Sequence, residues 1–206
     1  MAKETAHQIG TPLSSLLGWI AILKMENIDK KYINEIEKDV HRLNTIANRF
    51  SKIGSLPKLK RMDLISVTKN AYEYLEYRSS KQISFKFISD EKELFCNINE
   101  ELYEWVIENL IKNAIDAMLG KGELILSVAS DNNKIIINIS DTGKGMVKSQ
   151  FRKIFNPGFT TKKRGWGLGL SLSKRIIEDY HTGKILVKNS EINKGTTFQI
   201  ILDKVT

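Results

Sequence analysis

A single cysteine, Cys96, rules out an internal disulfide anywhere in the 206 residues. It sits in a strand-like run, LFCNI, where a buried free thiol in a reducing compartment is expected. Long hydrophobic runs are missing as well. The longest, LLGWIAIL, falls far short of the roughly 20 apolar residues that a membrane-crossing helix needs, and no signal-peptide pattern precedes it. A cytoplasmic protein with no membrane contact from these residues is expected. There is no acidic excess either: 32 Lys and Arg against 24 Asp and Glu give a net charge of +8, which permits anionic partners. Finger-type metal spacing, an aromatic-rich RNA-binding signature and a recognition helix are all lacking, so nucleic acid is not expected among those partners. Proline is scarce, and Pro12, Pro57 and Pro157 each mark a bend, a linker or a loop.

What is present divides into two units, 1–58 and 59–206. In the first, apolar residues recur in steps of three and four at Ile9, Leu13, Leu16, Ile20 and Leu23. After MENIDK the rhythm resumes at Ile33, Ile36, Val40, Leu43, Ala47 and Phe50. Two heptad helices joined by a short turn make a hairpin with too little core of its own. Two such hairpins complete a four-helix bundle, so a homodimer is expected through those stripes, with Leu16 and Val40 in the seam.

GSLPKLKRMD breaks the period with Gly54, Pro57 and a basic cluster, and reads as a linker. Beyond it a helix is expected over 64–79, strands at ISFKFIS and ELFCNI, and a long helix in NEELYEWVIENLIKNAIDAM. Strands GELILSVAS and KIIINIS flank the turn DNNK. A glycine-rich irregular stretch, 142–169, leads into the helix LSLSKRIIEDYH, and strands KILVKN and TTFQIIL close the chain. The implied fold is two-domain: an α-helical hairpin, then an α+β sandwich with helices on one face of a mixed sheet.

Several residues sit oddly in that frame. Asn109 and Asn113 interrupt the stripe Leu102, Val106, Ala117 of the long helix; buried amides are costly without partners, and two on one face suit a ligand. SDTGKGM ends a strand with Asp141, a carboxylate able to accept from an exocyclic amine. Gly143 and Gly145 follow it and let the backbone pass close to something flat. GWGLGL puts Gly165, Gly167 and Gly169 at a helix start, where amides and the helix dipole favour phosphate. The basic run Lys162, Lys163, Arg164 could fold over a polyphosphate. Alone, the asparagine pair favours a ligand over backbone capping, SDTGKGM is better read as a turn, GWGLGL is a weak signal without a P-loop Lys, and the basic run is equally a solvated loop.

Together and in this order they resemble the ATP-binding domain of two-component sensor histidine kinases, in the GHKL superfamily shared with gyrase, MutL and Hsp90. ENLIKNAIDAM is similar to the N box, DTGKGM to the G1 box, FRKIFNPGFTTKK to the F box and GWGLGLSLSKRII to the G2 box. AHQIGTPLSSLLGWI resembles the H box of the dimerisation helix. The resemblance implies ATP and Mg2+ as cofactors, with Asn113 and Asn109 holding the metal. It places Asp141 on the adenine amine with Gly143 and Gly145 beside it, and Thr196 on the adenine side. Gly165, Gly167, Gly169 and Leu170 would line the phosphates, with Lys162 near the γ-phosphate. The catalytic set would be His7 as phosphoacceptor, Gln8 beside it and Thr11 one turn on. Met146 to Gly165 would be a cover that orders on nucleotide.

The hydrolysing relatives carry a glutamate base four residues before the metal asparagine; here that position is Asn109. Glu108 is rotated from it by about 100° on the helix, so transfer to a nucleophile is favoured over hydrolysis. Histidine, largely unprotonated at neutral pH, is a good nucleophile. The family usually has an acidic residue after this histidine, and here it is Gln8. The implied function is an autophosphorylating kinase core of a longer receptor that passes phosphate to an aspartate of a response-regulator receiver domain. The rivals are a phosphatase-biased variant, in which Thr11 positions water on the phosphoaspartate, and a nucleotide-sensing dimeric scaffold without transfer.

Overall fold

The structure is a computed structural model that describes residues 16–25, 33, 36–37, 40, 57–162 and 167–205. It divides into two compact units, Met1–Pro57 and Lys58–Thr206. His7, Gln8, Thr11 and Gly165 lie outside the described residues.

In the first unit residues 16–23 are helical. Ile20, Ile33 and Val40 form a small core with Leu17 and Leu23 against it, and Lys24 Nζ reaches Glu37 Oε2 at 2.6 Å, pinning one arm to the other. The apolar stripe divides differently from the expected seam. Val40 is spent inside its own chain, whereas Leu16, Trp19, Ile22 and Ile36 remain exposed. A helix whose apolar arc is wider than one neighbour can cover leaves the remainder uncovered. Gly18 lies on this outer side with open space around it.

The second unit begins with β1 (Lys60–Asp63) and α1 (Leu64–Arg78), followed by β2 (Ile83–Ser89), β3 (Phe95–Ile98) and α2 (Glu100–Ala117). Next come β4 (Gly122–Asp131), β5 (Lys134–Asp141) and α3 (Gly169–Arg175), and β6 (Lys184–Glu191) and β7 (Gly195–Asp203) complete it. A five-stranded sheet runs in the order β2-β4-β5-β7-β6. Only β2–β4 is parallel; the other pairs are antiparallel. Alternate residues of three strands (Leu124, Leu126 and Val128; Ile135, Ile137 and Ile139; Phe198, Ile200 and Leu202) are buried. That face meets the apolar faces of α1 and α2, from Leu64 to Leu75 and from Leu102 to Ala114. The opposite face is partly polar: Gln199 donates to Asn138, and Asn138 to Ser127, across three strands.

One expectation fails here. The segment read as linker holds β1, paired antiparallel with β3 from Lys60↔Ile98 to Asp63↔Phe95. It shows no in-and-out alternation, since Lys60 and Arg61 are exposed and Met62 and Asp63 half-buried; the Arg61 guanidinium lies 3.7 Å from the Phe95 ring centroid. Asp63 then ends the strand and caps α1 by accepting from the N–H groups of Ile65 and Ser66.

The last helix is not uniform. After Arg175 it widens into a π turn, Ile176–Tyr180, which ends at His181. The buried imidazole bonds the Ile176 carbonyl through Nδ1 at 2.8 Å and accepts from the Asn99 N–H through Nε2 at 3.0 Å. With the proton on Nδ1 both bonds are satisfied by the neutral ring, and burial holds its pKa below the usual histidine value. Asn99 is also the N-cap of α2 and donates its amide to the Lys58 carbonyl.

Candidate active site

The odd residues of the sequence gather at one end of the second unit, where α2 finishes, β5 ends, β7 starts and α3 begins. Asp141 closes β5 opposite Thr196 of β7. Its Oδ1 accepts from the Gly143 N–H at 2.8 Å. The carboxyl is 7% exposed, and burial pushes its pKa up to about 6, while hydrogen bonds from the Gly143 and Thr196 backbone pull the other way. Keeping that group charged at neutral pH costs the fold about 3 kcal/mol. A fold retains such a carboxylate where it has a use.

The turn after Asp141 is held by main chain. A Cβ on Gly143 would stand 2.6 Å from the Ala117 carbonyl carbon, and one on Gly145, at φ +62°, would stand 1.9 Å from the Glu191 oxygen. The Lys144 N–H donates to the Ala117 carbonyl and the Lys144 carbonyl accepts from Asn193. Only glycines admit this approach, which brings the Asp141 corner onto the C-terminal end of α2. Thr196 shares its hydroxyl with Ser190 at 2.9 Å, beside the Met146 N–H that donates to the same Ser190 oxygen.

The two asparagines part company. Asn109 donates through Nδ2 to the buried Ser173 hydroxyl of α3 at 2.9 Å, and its Oδ1 lies 2.6 Å from where a Cβ of Gly169 would stand. It therefore sets the distance between α2 and the start of α3. Asn113, one turn on, accepts from Lys162 Nζ at 2.8 Å. That ammonium also reaches Asp116 Oδ2 at 2.6 Å. Gly167, at φ +64°, accepts from the Gly158 N–H, and a Cβ there would stand 2.4 Å from Gly158 carbon. Leu170 is half-buried in the first turn of α3. Glu108 is tied to Lys112 at 2.6 Å along the helix surface, as its rotation from Asn109 demands.

The segment expected to cover the nucleotide, Met146 to Gly165, is described as far as Lys162. Short 3-10 turns at Lys148–Gln150 and Lys153–Phe155 carry its first part. Ile154 and Phe155 are buried there, with the Phe155 ring edge-on to Phe198 at 6.4 Å. These two apolar side chains, both readable in the sequence, anchor that part beside the sheet. Sequence reasoning passed over Ser173, Asp116 and Lys144. Ser173 follows Gly169 by one helical turn, a small-small spacing that marks close helix contact.

Among the described residues no three or more His, Cys, Asp or Glu side chains cluster so as to hold a metal by themselves. Asn113 Oδ1 nevertheless already serves a cationic group, the Lys162 ammonium. An oxygen of this kind suits a hard cation that takes its remaining ligands from phosphate and water. The residues present fit a Mg2+ ion bound jointly with a nucleotide.

Comparison with known proteins agrees with this geometry. The model for the histidine kinase-, DNA gyrase B-, and HSP90-like ATPase family matches residues 98–206, and that for the His kinase A (phospho-acceptor) domain matches residues 1–56. Sporulation kinase E of Bacillus subtilis (strain 168) is 30% identical over 210 residues, 98% of this chain and 28% of that protein. The signal transduction histidine-protein kinase AtoS of Escherichia coli (strain K12) is 32% identical over 205 residues, 96% of this chain and 33% of its own. Among solved structures, histidine kinase ThkA in complex with the response regulator protein TrrA has a TM-score of 0.69 at 29% identity, covering 98% of this chain and 60% of that one. The chain spans less than half the length of the curated relatives it matches. No helix among the described residues is long and apolar enough to cross a membrane. A phospho-acceptor module ahead of an ATPase module, in relatives that are kinases by name, leaves a single assignment: the chain belongs to the two-component sensor histidine kinases.

Proposed function

We propose that these residues are the cytoplasmic kinase core of a longer signalling receptor, one that can be membrane-anchored, and that the core transfers the γ-phosphoryl group of ATP to His7 and then to an aspartate of a response-regulator receiver domain. The observation that carries the reading is the meeting of Asp141, Asn113 and Lys162 around the end of α2. A buried acceptor for a base and a cation-holding oxygen stand beside a lysine that can turn to phosphate. Asp141 accepts from the adenine amine, with Gly143, Gly145 and Thr196 shaping that side. The main chain at Gly167 and Gly169, with Leu170, would face the phosphates, and Gly165, outside the described residues, is assigned there by its place in the same motif. Asn113 holds Mg2+, while Asn109, spent on Ser173 through Nδ2, contributes through Oδ1 or by positioning α3. The ion supplies charge compensation for the triphosphate. The lone pair of the His7 ring attacks the γ-phosphorus, the bond to the bridging oxygen breaks, and ADP departs with that electron pair. Glu108, committed to Lys112, is not placed to activate water, which favours transfer over hydrolysis.

Asn113→Ala is expected to weaken ATP binding at least tenfold in Mg2+ and to flatten its metal dependence, since second-sphere changes alone cost about that much at metal sites. Calorimetry with and without Mg2+ checks this; unchanged affinity and metal dependence would reject the site.

The first unit is the dimerisation and phosphoacceptor hairpin. Its partner is a second copy seated on the exposed stripe Leu16, Trp19 and Ile22. Charges at two of these positions, Leu16→Glu with Trp19→Glu, place unpaired carboxylates in the seam and should convert a dimer into a monomer in sedimentation. A monomer before the change, or a dimer after it, contradicts the bundle.

A further inference from the structure

We propose that Asp116 is a positioning residue for Lys162, and that loading of the site exchanges one cation for another at the end of α2. This rests on the nucleotide site proposed above. Asn113 and Asp116 are three residues apart on α2 and so share a face. Their oxygens converge on the same ammonium, at 2.8 and 2.6 Å. The nearest alternative cation for Asp116 on its own helix is Lys112, one turn earlier, and that group is bonded to Glu108. The loop side is prepared to match. Thr160 accepts from the Lys162 N–H through its hydroxyl at 3.1 Å, and Thr161 accepts from Lys144 Nζ at 3.1 Å. Consecutive residues of one turn are thus tied to the end of α2 and to the loop after Asp141.

The lysine cannot stay there once the site is loaded. Asn113 Oδ1 has two lone pairs, but an ammonium and a divalent ion sharing that one oxygen would stand close together and repel, so the metal displaces the lysine. Arrival of the metal and the triphosphate releases Lys162 from Asn113, and the phosphate oxygens compete with Asp116 for its charge. Asp116 keeps the ammonium near the phosphates in the empty protein and opposes its transfer to them. The ion pair is exposed, with side chains 41% and 56% accessible, so its effect is modest: about a two- to fivefold change in an equilibrium.

The test is a double-mutant cycle on the whole chain, read as ATP affinity in Mg2+ by calorimetry. Asp116→Asn keeps the shape and removes the charge, and should tighten ATP about two- to fivefold. In a Lys162→Ala background the same substitution should change nothing, because the group it restrains is gone. Amide exchange over 158–162 in the nucleotide-free protein should quicken in Asp116→Asn. Weaker ATP binding by Asp116→Asn in both backgrounds would make the carboxylate a ligand of the metal itself and overturn the proposal. So would an unchanged affinity beside normal binding by the unaltered chain. Failure of the unaltered chain to bind ATP would instead strike the functional reading on which it rests.

Discussion

Asp141→Asn should make the protein more stable and a worse nucleotide binder at once. The carboxyl is raised from 3.8 to about 6 because it is buried. The folded state therefore holds its proton more tightly than the unfolded state does. Between those two values stability falls as pH rises, and above about 6 the whole cost is present. Asparagine has the same shape, offers an oxygen to the Gly143 N–H and carries no charge to desolvate. Part of the gain is lost because its NH2 cannot accept from the Thr196 backbone. A net gain of about 1–3 kcal/mol at neutral pH corresponds to a melting temperature higher by several degrees. The difference between the two proteins should shrink as pH falls from 7 toward 4, where the aspartate is protonated anyway. ATP affinity should fall about ten- to a hundredfold, the value of a lost charge-assisted hydrogen bond. In the unaltered protein affinity should decline as pH drops below about 6. Thermal melts across pH, paired with calorimetry, check both halves. A less stable variant with full affinity would mean that Asp141 is a structural cap of the turn.

The second large effect concerns Gln8, the residue after the proposed phosphoacceptor His7. His7→Ala should abolish labelling by ATP, while Gln8→Glu should accelerate it about ten- to a hundredfold with ATP affinity unchanged. For attack by the far ring nitrogen the imidazole must carry its proton on the other one. The Gln8 oxygen can accept that N–H and fix the tautomer. It has no negative charge with which to stabilise the cation that develops as the N–P bond forms. A hydrogen bond to a charged group is roughly twice as strong as a neutral one, and 1–3 kcal/mol in a transition state gives about the stated factor. Initial rates at saturating ATP for the three proteins decide it. A Gln8→Glu protein no faster than the parent would mean that the acidic neighbour is not limiting, and label on a His7→Ala protein would move the acceptor elsewhere.

The elements were legible where one period dominated. α1, α2 and the strands of the sheet sit within a residue or two of the runs that announced them, because each buries one regular face. β1 was lost because it has no regular apolar face: Lys60 and Arg61 are exposed and Met62 and Asp63 only half-buried, so pairing with β3 and the Arg61–Phe95 contact hold it. The two short turns after Met146 have no period of their own to announce them. Phe155 is anchored by Phe198, a residue from the far end of the chain. Of the site, the positions that need a special backbone, Gly143, Gly145 and Gly167, could be read directly, since only a close approach or positive φ calls for glycine there. What could not be read was division of labour. Asn109 and Asn113 look equivalent on a helical wheel, yet one faces α3 and Ser173 and the other faces Lys162. A difference of one turn chooses a different neighbour, and the neighbour comes from a loop whose course the period does not encode.

The π turn at Ile176–Tyr180 has a consequence for how the chain can change over time. Such a turn accommodates an extra residue within a helix, and each residue removed from a helix rotates everything after it by about 100°. The segment carries Glu178, Asp179 and Tyr180 and looks like a permissive surface stretch. Substitutions at those three can be absorbed, whereas a one-residue deletion that shifted His181 off the Asn99 N–H would cost the buried imidazole a partner. Drift here is free in composition only at the outer positions, with Ile176 and Ile177 held by the core, and is restricted in length.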